Sequence, residues 1–133
     1  TLNVNCAKRN RSPFDLKDDI ERFATMHALD ICALCEVDFN SEREADDFTI
    51  DGYATMRPYD VPENKKVRVI MLVSNHMMNH TRQLMDVGGS ESVWVEVNLP
   101  KSRPCLLAAT YREWGIGDQK SIGSQIGLNG WAI

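Results

Sequence analysis

Leu29-Asp30-Ile31-Cys32-Ala33-Leu34-Cys35-Glu36 is an apolar run, interrupted once by Asp30, that closes on a carboxylate. A strand covered on both faces needs little polar alternation, so the run reads as a buried strand with Glu36 at its end, on the rim of a sheet. A rim carboxylate is a natural place to hold a metal. Leu2-Asn3-Val4-Asn5-Cys6 is a second short strand candidate, carrying neutral amides where the other carries charge. Together the two predict one site fed by two strands.

Between them, Ser12-Pro13-Phe14-Asp15 has the form of a helix start, with Ser as N-cap, Pro at the first helical position and Asp meeting the helix dipole. Leu16, Ile20, Phe23, Ala24 and His27 recur at helical spacing, which predicts a helix to about Ala28 with that stripe, His27 included, in the core. A strand, a helix and a strand in succession place the two strands parallel through a right-handed crossover. Residues 37–47 are polar and acidic and read as a loop with one short helical turn. Phe48–Ile50 and Tyr53–Met56 flank an Asp51-Gly52 turn signal, and Val67–Ser74, Gln83–Val87, Ser92–Leu99 and Cys105–Tyr111 are further strand candidates. Val93, Val95, Val97 and Leu99 alternate onto one face, and Pro100–Pro104 is the turn of an antiparallel hairpin. Residues 115–133 hold five of the eight glycines and read as a divergent tail beyond a domain of residues 1–114.

A chain of 133 residues can bury one core, and 43% hydrophobic with 26% charged residues excludes disorder throughout. The longest apolar run is five residues, Val69–Val73, against the ~20 that span a bilayer, and no basic leader precedes an apolar segment. The expectation is a protein without membrane contact. Cys32 and Cys35 have C-x-x-C spacing, yet residues three apart on a strand face opposite ways and cannot clasp one metal. Reduced, buried thiols are expected for all four cysteines, and with them an intracellular (cytoplasmic or nuclear) location. A net charge of −4 is the wrong sign for general nucleic-acid adhesion, and the clusters Lys8-Arg9 with Arg11, Lys65-Lys66 with Arg68, and Lys101 with Arg103 read singly as solvated loops. His76 and His80 fall in a polar turn and are weak candidates for metal.

Asn3-Val4-Asn5, Arg11-Ser12, the strand ending in Glu36, Glu91–Val97 and Ala109-Thr110-Tyr111-Arg112 follow one another in an order that resembles the landmarks of the endonuclease/exonuclease/phosphatase superfamily. Within it, residues 1–114 look most like the N-terminal half of a non-LTR retrotransposon endonuclease, the domain joined to a reverse transcriptase in the intact polyprotein. The resemblance implies an α/β fold, a two-layer β-sandwich flanked by helices (DNase I-like), here without its C-terminal half. It also implies a DNA substrate, nicked at phosphodiester bonds for target-primed reverse transcription, with Mg²⁺ or Mn²⁺ as cofactor.

The implied chemistry suits the residue types. Phosphodiester hydrolysis piles negative charge on phosphate oxygens, and a hard divalent cation held by carboxylate oxygen answers it. By the resemblance Glu36 and Asn3 hold the metal, Tyr111 donates to a phosphate oxygen, and Asn5 and Arg112 contact substrate. By strand alternation Asn3 and Asn5 share a side, while Arg112 faces away from Tyr111. Two of the family's later landmarks are missing: no D-x-N follows Tyr111, and no histidine follows His80 to complete a C-terminal S-D-H. Without a general base, activity is expected to be impaired. A phosphatase of small or lipid phosphoesters within the same superfamily, and a non-catalytic binding remnant, are the competing readings; the bland readings of Asn3 and Tyr111 are a side chain bonding nearby backbone and a rim tyrosine with a wet hydroxyl.

Overall fold

The computed structural model describes residues 1–6, 8–59, 61–85 and 91–112. The Gly-rich segment 115–133 and Val87 of the predicted fifth strand lie outside them. Among the described residues seven strands form two sheets: β1 (Leu2–Asn3), β2 (Ile31–Phe39), β4 (Val67–Ser74) and β3 (Tyr53–Met56), in that order, make one, and β5 (Thr81–Leu84), β6 (Glu91–Val97) and β7 (Cys105–Tyr111) the other. β1 pairs parallel with β2 and every other pairing is antiparallel. The chain is therefore α/β, with one mixed and one antiparallel sheet.

The predicted crossover helix is present in two pieces. Pro13–Leu16 forms a 3₁₀ turn, in which Ser12 N–H donates to Asp15 Oδ2 (2.9 Å), and α1 continues from Lys17 to Met26. It stops early because Ala28 takes φ +47°, and the bonds Leu29 N–H to Ala24 O (3.0 Å) and Ala28 N–H to Thr25 O (3.1 Å) close a Schellman motif. The chain thereby leaves the helix one residue after His27. That residue is exposed, its ring against Phe23 at 4.6 Å, and is not the core histidine its spacing predicts. Ile20 and Ala24 carry the buried face of α1.

Two apolar layers lie on either side of β2 and β4. Toward the helices, Cys32, Leu34, Val37 and Phe39 of β2 and Val67, Ile70 and Leu72 of β4 pack with Val4, Cys6, Ile20 and Phe48. Toward the second sheet, Ala33, Val69, Met71 and Val73 meet Val93, Val95, Val97 and Ala109. Ile31–Cys35 of β2 and Val69–Val73 of β4 are apolar without a break because both faces are covered there, whereas β6 alternates because Trp94 and Glu96 are only half-buried. β6 ends at Val97, so Leu99 is exposed instead of joining the valine face. Cys32 and Cys35 do face opposite layers, and burial pushes both thiols up, which keeps them protonated. Cys105, at the start of the edge strand β7, is exposed.

The segment read as a loop contains the last residues of β2 and α2 (Glu42–Asp47), capped by Ser41 Oγ accepting from Glu44 N–H (3.1 Å). Phe48–Ile50 is not a strand. Phe48 instead joins Phe14 and Phe39 in an aromatic cluster with centroids 5.3–6.0 Å apart. Residues 75–80, read as a polar turn, form a 3₁₀ helix that leads into β5, which starts at Thr81 rather than Gln83.

Candidate functional site

β2 does not end at Glu36. Cys35 pairs with Val69 and Phe39 with Val67, so Glu36, Val37 and Asp38 together lie opposite Arg68. This is a bulge of three residues against one, and Glu36 takes the left-handed conformation (φ +59°) within it. Val37 and Phe39 remain in the helix-side layer. The kink thus re-aims the half-buried Glu36 without exposing the apolar residues on either side of it.

The parallel pairing brings β1 to the same place. Asn3 is the register partner of Cys35, Val4 N–H donates to Cys35 O (3.0 Å) and Cys6 N–H to Glu36 O (3.1 Å). Register partners share a sheet face, so Asn3 lies on the sandwich side with Cys35, while Val4 and Cys6 enter the helix-side layer. Asn5 departs from simple alternation. Two residues past the end of β1 it takes φ +50°, a conformation asparagine tolerates better than most residues. The two amides consequently differ: Asn3 is exposed and its Oδ1 accepts from Asn5 N–H (3.1 Å), whereas Asn5 Oδ1 is buried with no hydrogen-bond partner. The local backbone bond weighed for Asn3 is thus made, and it occupies one of that oxygen's two lone pairs.

The second sheet supplies Tyr111. It pairs with Glu91 across β6 and β7 and packs against the inter-sheet layer, so it faces inward, near Arg68 of β4, which lies opposite the Glu36 bulge. Arg112 follows it and is exposed. Two further charged groups stand at this rim. Glu91 Oε1 accepts from the backbone N–H of Arg68 (2.6 Å), and the Arg68 guanidinium lies 5.3 Å from the centroid of the Tyr111 ring. Arg68 is therefore not part of a solvated basic loop. Of its neighbours in the sequence cluster, Lys66 reaches Asp38 (3.1 Å). The hints for Arg68 and Glu91 were present in the sequence, as charges at the head of otherwise apolar strands, but only the packing of one sheet on the other joins them.

Asn3, Asn5 and Glu36, on the adjoining stretches of β1 and β2, would offer a metal hard oxygen donors with one carboxylate among them. Such a set suits Mg²⁺, which binds through one or two carboxylates and keeps several waters, and the buried, unpartnered Asn5 Oδ1 is an acceptor awaiting a cation or donor. Among the described residues no three His, Cys, Asp or Glu side chains gather as a metal cluster. Two shallow concavities lie elsewhere, one on the outer face of α1 by Asp18, Arg22 and Met26, the other by His80, Arg82 and Glu96. Neither touches the rim. No described helix is long and apolar enough to cross a membrane. No protein-family model matches the chain, and no curated protein matches it either.

Proposed function

We propose that this rim is the phosphate- and metal-binding half-site of a Mg²⁺-dependent DNA endonuclease with a DNase I-like fold. The observation that carries the reading is the buried, unpartnered Asn5 Oδ1 where β1, with Asn3 in register with Cys35, meets the bulge of β2 that holds Glu36. Glu36 with Asn3 would hold the metal, which when bound supplies Lewis-acid stabilisation of charge on the phosphate. Asn5, neutral and partly covered, orients an oxygen without repelling an anion. Tyr111 donates its phenolic proton to a phosphate oxygen, and the exposed Arg112 meets the DNA backbone.

Neither asparagine nor a neutral tyrosine is a base, and a Glu36 committed to a metal is not available as one. Hydrolysis at full rate needs a water-activating group besides these described residues, and a site without one would be slower by about 10²–10⁴-fold. The expected behaviour is slow nicking of supercoiled plasmid that requires Mg²⁺ or Mn²⁺, with Glu36→Gln abolishing it. Equal nicking by the mutant, or nicking in chelator, would remove Glu36 from the chemistry. Relatives of the intact family carry a reverse transcriptase on the same polyprotein, and the same pairing is proposed for this chain.

A further inference from the structure

We propose that the turn of residues 8–11, through Lys8, Arg9 and Arg11, holds the phosphate backbone of duplex DNA on the β1 side of the Glu36 bulge; the inference rests on the endonuclease reading above and gives its substrate a second, electrostatic contact. In the sequence these cations read as a solvated loop. The fold gives that loop a fixed place. Cys6, fully buried, donates its N–H to Glu36 O (3.1 Å), and the chain then turns back, Arg9 N–H donating to Asn5 O (3.2 Å) and Arg11 N–H to Cys6 O (3.0 Å). Asn5 (φ +50°) and Asn10 (φ +52°) take left-handed conformations in this reversal, and Pro13, buried at the start of the 3₁₀ turn, anchors its far end. The backbones of both arginines are thus one hydrogen bond away from the stretch of chain that pairs with Cys35 and Glu36.

Their charge is uncommitted. Lys8, Arg9 and Arg11 are exposed, and among the described residues none of the three side chains makes an ion pair or a hydrogen bond. Burial, and after it the charges of Asp38 and Asp15, raise the Cys6 thiol, which places both acids beside the loop. Each acid is engaged elsewhere, Asp38 with Lys66 (3.1 Å) and Asp15 with Ser12 N–H (2.9 Å). A net charge of −4 repels a polyanion in general, so three positive charges within four residues decide where one can land. Arginine forks and a lysine point charge both suit phosphate oxygens. Duplex DNA carries its phosphates in continuous rows, so one molecule can meet the loop and the bulge together, which a small phosphate ester cannot.

The test is equilibrium binding of the full chain to a short DNA duplex in chelator, followed by anisotropy across a potassium chloride series. Wild type is compared with Lys8→Gln/Arg9→Gln/Arg11→Gln and with Lys101→Gln/Arg103→Gln, which removes exposed cations from the β6–β7 turn, at the opposite end of that sheet from Tyr111. The loop variant is expected to lower the salt slope by about 2.7, the value for three lost phosphate contacts, and to weaken binding on the order of 10²-fold near 0.1 M salt. The β6–β7 variant should leave the slope unchanged. An unaltered slope in the loop variant, with the fold intact by circular dichroism, overturns the inference, as does an equal loss per charge in the β6–β7 variant or failure of the wild type to bind at low salt. Displacement of the duplex by polyglutamate as readily as by unlabelled duplex would assign the loop to an acidic polypeptide and overturn it too. Binding is read without turnover, so the two claims separate. If the slope falls as expected but no metal-dependent nicking occurs, the endonuclease reading falls and the loop stands; if Glu36→Gln abolishes nicking while the loop variant alters neither slope nor nicking, the loop falls alone.

Discussion

Asp30, just before β2, and Glu36, in the bulge toward its far end, are built into the fold in opposite ways. At the entry, the exposed Asp30 is fully engaged: its Oδ1 lies 2.8 Å from His76 Nε2, its carbonyl accepts from Ser74 N–H (2.8 Å), and His76 Nδ1 lies 2.6 Å from Ser74 Oγ. A carboxylate can only accept, so Nε2–H donates to Asp30, and in the neutral imidazole Nδ1 accepts the Ser74 hydroxyl. The chain of bonds closes on itself. At the other end, Glu36 sits in a left-handed conformation on a bulge, next to an asparagine oxygen that is buried and unpartnered. One end spends its polar groups on holding the fold; the other keeps strain and an unmet acceptor, the combination expected where a ligand completes the structure.

Two thiols, Cys32 buried and Cys35 half-buried, divide along the same strand and give the largest expected effect. Cys32 lies toward the Asp30 end and Cys35 beside Glu36, and burial is the first cause raising both, with the Glu36 charge adding to Cys35. A thiol whose folded pKa lies above its unfolded value of about 9 stabilises the fold below that pH and loses the contribution as pH rises through the folded pKa. Urea midpoints should hold from pH 7 to about 8.5 and then fall, at up to ~1.4 kcal/mol per pH unit for each thiol. Cys32→Ala and Cys35→Ala should each flatten the alkaline slope; a slope that neither change affects would place the titrating groups elsewhere.

The strain at Glu36 yields a smaller effect with two opposed readouts. A left-handed non-glycine residue costs about 1–2 kcal/mol, and glycine gives back roughly 0.5–1 through its unfolded entropy. Glu36→Gly should therefore raise stability by about 0.5 kcal/mol in chelator. In millimolar Mg²⁺ the wild type should gain melting temperature by mass action and the mutant should not. A mutant destabilised in both buffers would mean that the carboxylate serves the fold, and the contrast between the ends of β2 would disappear.

How much of this was legible in the sequence follows the same division. The buried strand read over Leu29–Glu36, which starts at Ile31 in the fold, the parallel return of β1, the alternation of β6 and the opposed faces of Cys32 and Cys35 are period arguments, and periods survive wherever the backbone stays regular. The errors fall where it does not. Ala28, Asn5 and Glu36 all take positive φ, none is glycine, and each displaced a prediction: His27 left the core, Asn5 left the alternation, and β2 ran on to Phe39 past its expected end. Arg68 was hidden for another reason. Its partners Glu91 and Tyr111 lie 23 and 43 residues further along the chain in the opposite sheet, and no local pattern reports a contact between sheets.

The Asp30 end should produce the smallest effect, and its smallness is what the comparison requires. His76 and Asp30 are both well exposed, with side chains 69% and 59% accessible, so solvent and salt screen the pair to about 0.2–1 kcal/mol. His76→Ala removes the imidazole that joins Asp30 to Ser74, but the Ser74 N–H to Asp30 carbonyl bond remains and keeps the start of β2 tied to the end of β4. The expected result is a loss of stability of at most ~1 kcal/mol in urea titrations. Mg²⁺-dependent stabilisation and DNA binding should be unaltered, because no group at this end is placed to meet either ligand. A loss of Mg²⁺ response in His76→Ala would show that the two ends of β2 are energetically coupled through the strand, and Glu36 could then no longer be treated as a site independent of the fold that carries it.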